Sequence, residues 1–210
     1  IKTLESDGKT VEHAVFSPNG QFVAIPRWNN TVKIWDLASG GATKILEGHE
    51  GGVNHASFSP DGRFLATASQ DKTAKVWDLK SDKEPLALRG HDDHVVFVGF
   101  SPDGSRVVTT SRDKTARVWN HKTGKATRSL KGHETVVIFA SFSNDGKLLR
   151  TVGKDHRVKT WDTESDKDSL TMKGHLNNLL TSSFSAYDEY VVTAGSKARI
   201  WDARTGSSLL

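Results

Sequence analysis

The chain of 210 residues contains no cysteine, one methionine, two tyrosines and five prolines. Without thiols it has no disulfide, no thiolate metal centre and no cysteine nucleophile, and it is indifferent to the redox poise of its surroundings. No run of 18 apolar residues occurs, and the opening Ile1-Lys2-Thr3-Leu4-Glu5 has neither the basic cluster nor the apolar segment of a secretory leader. Neither a membrane span nor a signal peptide is therefore expected. The first residue is not methionine, which suggests a processed chain or an excerpt of a longer one. Stretches of helical period are missing too. A content of 35% hydrophobic and 26% charged residues excludes disorder and collagen and describes a soluble globular chain.

What the chain does have is a period. Trp35, Trp77, Trp119, Trp161 and Trp201 are spaced by 42, 42, 42 and 40 residues. Gly48-His49, Gly90-His91, Gly132-His133 and Gly174-His175 keep the same beat, as does Phe16-Ser17-Pro18-Asn19-Gly20, which recurs at 58–62, at 100–104 and, worn, at 142–146. In the fifth copy, Phe184-Ser185-Ala186-Tyr187-Asp188, the turn residues are lost. Such a period marks a repeat architecture. Within a repeat the alternation is of period two, as in Arg63-Phe64-Leu65-Ala66-Thr67-Ala68 and Ala74-Lys75-Val76-Trp77-Asp78, and this reads as half-buried strands. Ser59-Pro60-Asp61-Gly62, Gln70-Asp71-Lys72-Thr73 and the stretch after Asp78 supply the turns between them. Each unit is thus four short antiparallel strands, a sheet that cannot bury both faces alone and must stack on its neighbours as a blade.

These residues resemble the WD-repeat β-propeller family over essentially the whole chain. The resemblance rests on Trp35-Asp36, Trp77-Asp78, Trp119-Asn120, Trp161-Asp162 and Trp201-Asp202, on the four Gly-His pairs, and on the turns at Asp71-Lys72-Thr73 and Asp113-Lys114-Thr115. It implies an all-β propeller of about five four-stranded blades, with repeats near 1–42, 43–84, 85–126, 127–168 and 169–210 forming a single domain, or else part of a longer propeller. It also implies a hydrogen-bonded tetrad in each blade. Carried over by position, the set is complete as His49, Thr67, Asp71, Trp77, as His91, Thr109, Asp113, Trp119, and as His133, Thr151, Asp155, Trp161. The first copy offers Asp7, Ile25, Asn29 and Trp35, and the fifth His175, Thr193 and Trp201 with a shortened turn and no Asp. The end copies are the degraded ones.

A His beside an Asp and a Thr has the look of a nucleophilic relay, but a constellation repeated blade after blade is a packing device. No catalytic residue, cofactor or metal is expected. His13 and His55 share a column and His94 lies near His91, yet one or two imidazoles fall short of the usual ligand count. The formal charge of +4 has a bland origin as well: Lys33, Lys75, Arg117, Lys159 and Arg199 each stand two residues before a repeat Trp. Without those five, 29 bases become 24 against 25 acids, a net charge of −1. The excess is spread around the ring, each stem lying over its indole, and nucleic acid is not an expected partner.

Positions that recur make the fold, and positions that break the pattern are where a partner can be read. The resemblance places partners on the face carrying the Gly-His loops and the turns before the third strands, and the partner expected is a protein or peptide. The residue before the turn Asp is Trp28, Gln70, Arg112 and Lys154 in successive copies, and the column at the start of the first strand reads Glu12, Asn54, Val96, Ile138 and Leu180. Val95-Val96-Phe97-Val98 and Val136-Val137-Ile138-Phe139 break the alternation, either as core beside a bulge or as an apolar patch at the mouth. Trp28 either fills space in the worn first blade or stands proud as an anchor. The resulting expectation is a non-catalytic interaction scaffold inside the cell. The rival is a five-bladed carbohydrate-binding or glycoside-cleaving propeller, which would need two converging carboxylates. Ile1-Lys2-Thr3-Leu4 falls in the fourth-strand register, so a ring closed by that segment is favoured over an open arc.

Overall fold

The computed structural model describes residues 13–165, 170–172 and 179–209, and among them every element is a β-strand. Blade 1 is β1 (Val15–Phe16), β2 (Phe22–Pro26), β3 (Val32–Asp36) and β4 (Ala42–Leu46). Blade 2 is β5 (Val53–Phe58), β6 (Phe64–Ser69), β7 (Thr73–Asp78) and β8 (Leu86–Arg89). Blade 3 is β9 (Val95–Phe100), β10 (Arg106–Ser111), β11 (Ala116–Asn120) and β12 (Ala126–Leu130). Blade 4 is β13 (Val137–Phe142), β14 (Leu148–Gly153), β15 (Val158–Asp162) and β16 (Leu170–Met172). Each forms an antiparallel sheet with its strands in sequence order. The fifth sheet has β17 (Leu179–Phe184), β18 (Tyr190–Gly195) and β19 (Ala198–Asp202), with only a bridge from Trp201 to Ser208 where the other blades carry a fourth strand. Among the described residues this bridge is all that marks the fourth-strand register of the blade. Ile1 to Leu4, the expected closing segment, lie outside the described residues.

The second strands of blades 2, 3 and 4 are buried on both faces, because each of these sheets is sandwiched between two others. This is why β6, β10 and β14 carry apolar or hydroxyl residues almost throughout, while the third strands keep a half-buried base at Lys33, Lys75, Arg117 and Lys159. Lys33 Nζ sits 4.3 Å from the Trp35 ring, Lys159 Nζ 5.9 Å from that of Trp161, and the Arg199 guanidinium 6.0 Å from that of Trp201. The turn before each second strand is closed by its serine: Ser59 Oγ donates to Asp61 and accepts from the Phe64 amide, and Gly62 takes φ +69°. The fifth copy departs from expectation. Its backbone turn persists, with the Asp188 amide bonded to the Ser185 carbonyl and Asp188 itself at φ +58° in the place of glycine. Freed from its own turn, the Asp188 carboxylate accepts the Asn144 amide of blade 4 at 2.8 Å.

Blades meet through apolar columns. Ala24, Val32, Ile34 and Leu46 of blade 1 pack on Val53, Ala56, Leu65 and Trp77 of blade 2, and the same arrangement recurs between blades 2 and 3, 3 and 4, and 4 and 5. The corresponding face of blade 5 is open: Tyr190, Val192 and Ile200 are exposed. One column breaks the pattern. Where Ala24, Ala66 and Val108 stand in the first three blades, blade 4 has Arg150, fully buried, its guanidinium 3.5 Å from the Phe184 ring and both terminal nitrogens without a hydrogen-bond partner. Burial pushes its pKa down to about 9 despite the charge of Asp188.

The first strands of successive blades pack on one another, β1 on β5, β5 on β9, β9 on β13 and β13 on β17, and so line the inner side. No comparable packing joins β17 to β1 among the described residues. Each inner strand from β5 on carries one extra residue opposite its partner, namely Asn54, Val96, Ile138 and Leu180. One residue further on, His13, His55, Phe97 and Phe139 form a ladder of rings with centroids 4.0, 4.4 and 4.8 Å apart.

Candidate interaction face

The three complete sets of tetrad residues are each brought together. In blade 3 the Trp119 indole donates to Thr109 Oγ1 at 2.8 Å, that hydroxyl meets His91 Nε2 at 2.7 Å, and His91 Nδ1 meets Asp113 Oδ2 at 2.6 Å. Blade 2 repeats this through Trp77, Thr67, His49 and Asp71 at 2.9, 2.7 and 2.6 Å. One direction of donation satisfies every member: indole to hydroxyl, hydroxyl to Nε2, and Nδ1–H to carboxylate. The carboxylate also accepts the backbone N–H that follows the histidine, from Glu50 in blade 2 and Asp92 in blade 3. Burial alone would raise the Asp71 and Asp113 carboxyls, but hydrogen bonds from the histidine and from Thr73 or Thr115 hold both well below the usual carboxylate range.

Blade 4 has a looser version. Trp161, Thr151 and His133 are linked at 2.9 Å each, but His133 Nδ1 lies 2.9 and 3.0 Å from the two Asp155 oxygens. Gly153 stands where blades 2 and 3 have Ser69 and Ser111, and the imidazole and carboxylate lean into the space a Cβ would occupy. The end blades lack the full set among the described residues. Trp35 Nε1 is buried with no partner because Ile25 replaces the threonine, whereas Trp201 still donates to Thr193 at 2.8 Å. Asp7 and His175 lie outside the described residues.

In the three complete tetrads both imidazole nitrogens are engaged, and the three histidine side chains are at most 2% exposed. What the tetrads do is fix the turn before the third strand. The backbone N–H of Gln70, Arg112 and Lys154 donates to the carbonyl of Gly52, His94 and Val136, at 2.9, 3.0 and 2.9 Å. Each turn residue is thereby pinned at the entrance of an inner strand. In blade 1 the Arg27 carbonyl accepts the Val53 amide at 3.0 Å, which sets Trp28 beside the start of β5. Trp28 is 52% exposed, so it fills no gap in the first blade.

The candidate partner-binding positions fall into two layers. Trp28, Arg112 and Lys154 are exposed at turn tips, and Gln70 is half-buried. Asn54, Val96 and Ile138 are the half-buried bulge residues below them, Leu180 is placed by its backbone alone, and Glu12 lies outside the described residues. The broken alternation thus has its cause in inserted residues, and Ile138 also packs on the core between blades 4 and 5. Sequence reasoning missed Arg150, and from the 42-residue column of rings it noted only the His13 and His55 members.

Sheets of this topology, stacked through repeating apolar columns and stitched in the three central copies by a tetrad, are the blades of a β-propeller. The family model described as WD domain, G-beta repeat matches residues 1–36, 40–78, 83–120 and 124–162. The chain belongs to the WD40-repeat family. The fifth copy, with its shortened turn, lies outside the matched residues. No curated protein matches the chain. WD40 repeats generally mediate protein–protein interactions as scaffolds, and the family is generally non-catalytic.

Proposed function

We propose that this protein is a non-catalytic interaction platform that binds a protein or peptide on the face formed by the Gly-His loops and the turns before the third strands. One observation carries the reading: the backbones of Gln70, Arg112 and Lys154 are held identically from blade to blade, while the side chains they present differ and two of the three stand exposed. A rigid frame with variable exposed tips is what a recognition surface requires. Trp28 adds an exposed aromatic at the same level, the residue type that most often dominates binding energy at interfaces. The carboxylates argue against sugar hydrolysis. Asp71, Asp113 and Asp155 are held inside tetrads, and Asp61, Asp103 and Asp145 are bonded to the serines of their turns.

The test is selection from a random short-peptide library on the immobilised chain, followed by competition with a Trp28→Ala variant. Trp28→Ala is expected to melt within about 0.5 kcal/mol of the parent, because it empties no buried site, and to lose binding by about tenfold or more. Peptides that bind both proteins equally, or saccharides bound in preference to any peptide, would overturn the reading.

A further inference from the structure

The mouth of this face changes its chemistry between blade 2 and blades 3 and 4. In blade 2 the turn residue Gln70 reaches the bulge residue Asn54, with Nε2 3.4 Å from Asn54 Oδ1, and Asn54 in turn donates to the Val95 carbonyl at 2.7 Å. That pair is neutral and satisfied from within. In blades 3 and 4 the same two places hold Arg112 over Val96 and Lys154 over Ile138. The side chains below are now apolar and offer no acceptor. Arg112 and Lys154 are exposed, and neither engages another described side chain.

Their charge is not compensated on the turns either. Asp71, Asp113 and Asp155 are turned inward and consumed by the tetrad histidines. What the turns present outward is Lys72, Arg112, Lys114 and Lys154. Of the acids on the adjoining Gly-His loops, Glu134 is already bonded by Arg157 and the Asp93 carboxylate accepts the His94 amide, while the side chains of Glu50 and Asp92 stand exposed. The tetrad therefore has a consequence beyond stability, in that it strips the turn tips of their own counter-ions. Cations fixed by a rigid backbone beside half-buried aliphatic side chains match a carboxylate next to an apolar residue.

We propose that the mouth of this face takes an acidic, extended peptide segment whose carboxylates are met by Arg112 and Lys154 and whose apolar side chain packs on Val96 and Ile138. This inference rests on the reading of the face as a peptide-binding surface. Trp28, on the far side of Gln70, supplies an aromatic contact for the same segment.

The library selection tests it through the composition of the retained peptides. Acidic sequences with an aliphatic or aromatic residue are expected to be enriched, and their affinity to fall about tenfold as salt rises from about 0.05 to 0.5 M. The decisive variant is Val96→Asn with Arg112→Gln, which copies the Asn54 and Gln70 pair of blade 2 into blade 3. It keeps the local hydrogen bonds, is expected to keep the parent's melting temperature, and should bind the acidic peptides at least about tenfold more weakly. Charge reversal by R112E with K154E should shift selection to basic peptides. If neutral or basic peptides are retained by the parent and lost with Trp28→Ala, the face stands and the acidic ligand is overturned. If binding is indifferent to Trp28, Arg112 and Lys154 alike, both fall. A random single-stranded oligonucleotide serves as the other anionic probe, and tighter binding of it through Arg112 and Lys154 would also overturn the proposal.

Discussion

The cost of an unmade hydrogen bond is legible one residue at a time, because the chain contains its own controls. Trp119 Nε1 has an acceptor in Thr109, whereas Trp35 Nε1 is buried without one. Trp119→Phe leaves Thr109 Oγ1 without its donor and should cost about 1 kcal/mol more than Trp35→Phe, which removes an orphaned donor. Urea midpoints of the two variants measure the difference, and equal shifts would show that the indole bond contributes nothing. Asp113→Ala strips partners from His91, Thr115 and two backbone amides, and should cost about 1 to 3 kcal/mol on the same scale.

The ring ladder has a pH signature. His55 is pushed down to about 3 by burial and by the neighbouring His13, which is itself lowered by burial. No Asp, Glu, Lys or Arg occurs on β1, β2, β5, β6 or β9 to supply a counter-ion. An imidazole neutral in the fold and protonated in the unfolded chain contributes stability that is present above pH 6.5 and lost as pH falls below it. Between pH 7.5 and 5 the loss should be about 2 kcal/mol, and His55→Phe, which continues the ladder of Phe97 and Phe139, should flatten it. The tetrad carboxylates act in a separate window. Their folded pKa values are depressed, so their contribution is present above about pH 4 and fades only as pH falls further. Stability measured against pH should therefore fall in two steps.

Among the elements, the contact between blades 4 and 5 is the one that buries a cation. Arg150 occupies a place where its counterparts are Ala24, Ala66 and Val108, and apart from a 3.3 Å bond from Nε to Thr160 its guanidinium has only the Phe184 ring and the more distant charge of Asp188. Arg150→Val restores the column and should stabilise the chain by about 1 to 3 kcal/mol, seen as a melting temperature several degrees higher. A lower one would mean that the cation is held by more than the ring. This feature could not be read from sequence, because alternation tells which face a residue occupies and not whether both faces are covered. The strands themselves and the tetrads were legible, since each needs only local spacing and residue types that recur. The bulges were visible only as broken alternation, because an inserted residue and an apolar patch leave the same trace in sequence. The persistence of the turn at Asp188 was hidden for another reason: a residue other than glycine can take positive φ where its carboxylate finds a donor, here on blade 4.

For the whole molecule, the repeating columns predict that a blade can be removed cleanly. Excising residues 85–126 lets β12 follow β7 as its fourth strand and sets blade 2 against blade 4. The face that met Val98, Val107 and Trp119 would then meet Ala140, Leu149 and Trp161, where a smaller and a larger side chain replace two of middle size. The shortened chain should keep a β-sheet circular dichroism spectrum and a single cooperative melt. A cut of the same length that begins in the middle of β6 is the harsher comparison, because it joins strands of unlike copies only if the period fails; loss of folding in the in-register deletion alone would contradict the column scheme.

Every tetrad bond described above joins residues of one copy, His91 to Asp113 and Thr109, and Thr109 to Trp119. Nothing polar in the network crosses from blade to blade. In genetic terms, an in-frame duplication of 42 codons delivers a sheet whose tetrad donors and acceptors are already matched, and whose main demand on its neighbours is an apolar surface of about the right shape. Such a gene can lengthen by copying errors without compensating mutations, while the exposed turn residues of each new copy are free to diverge.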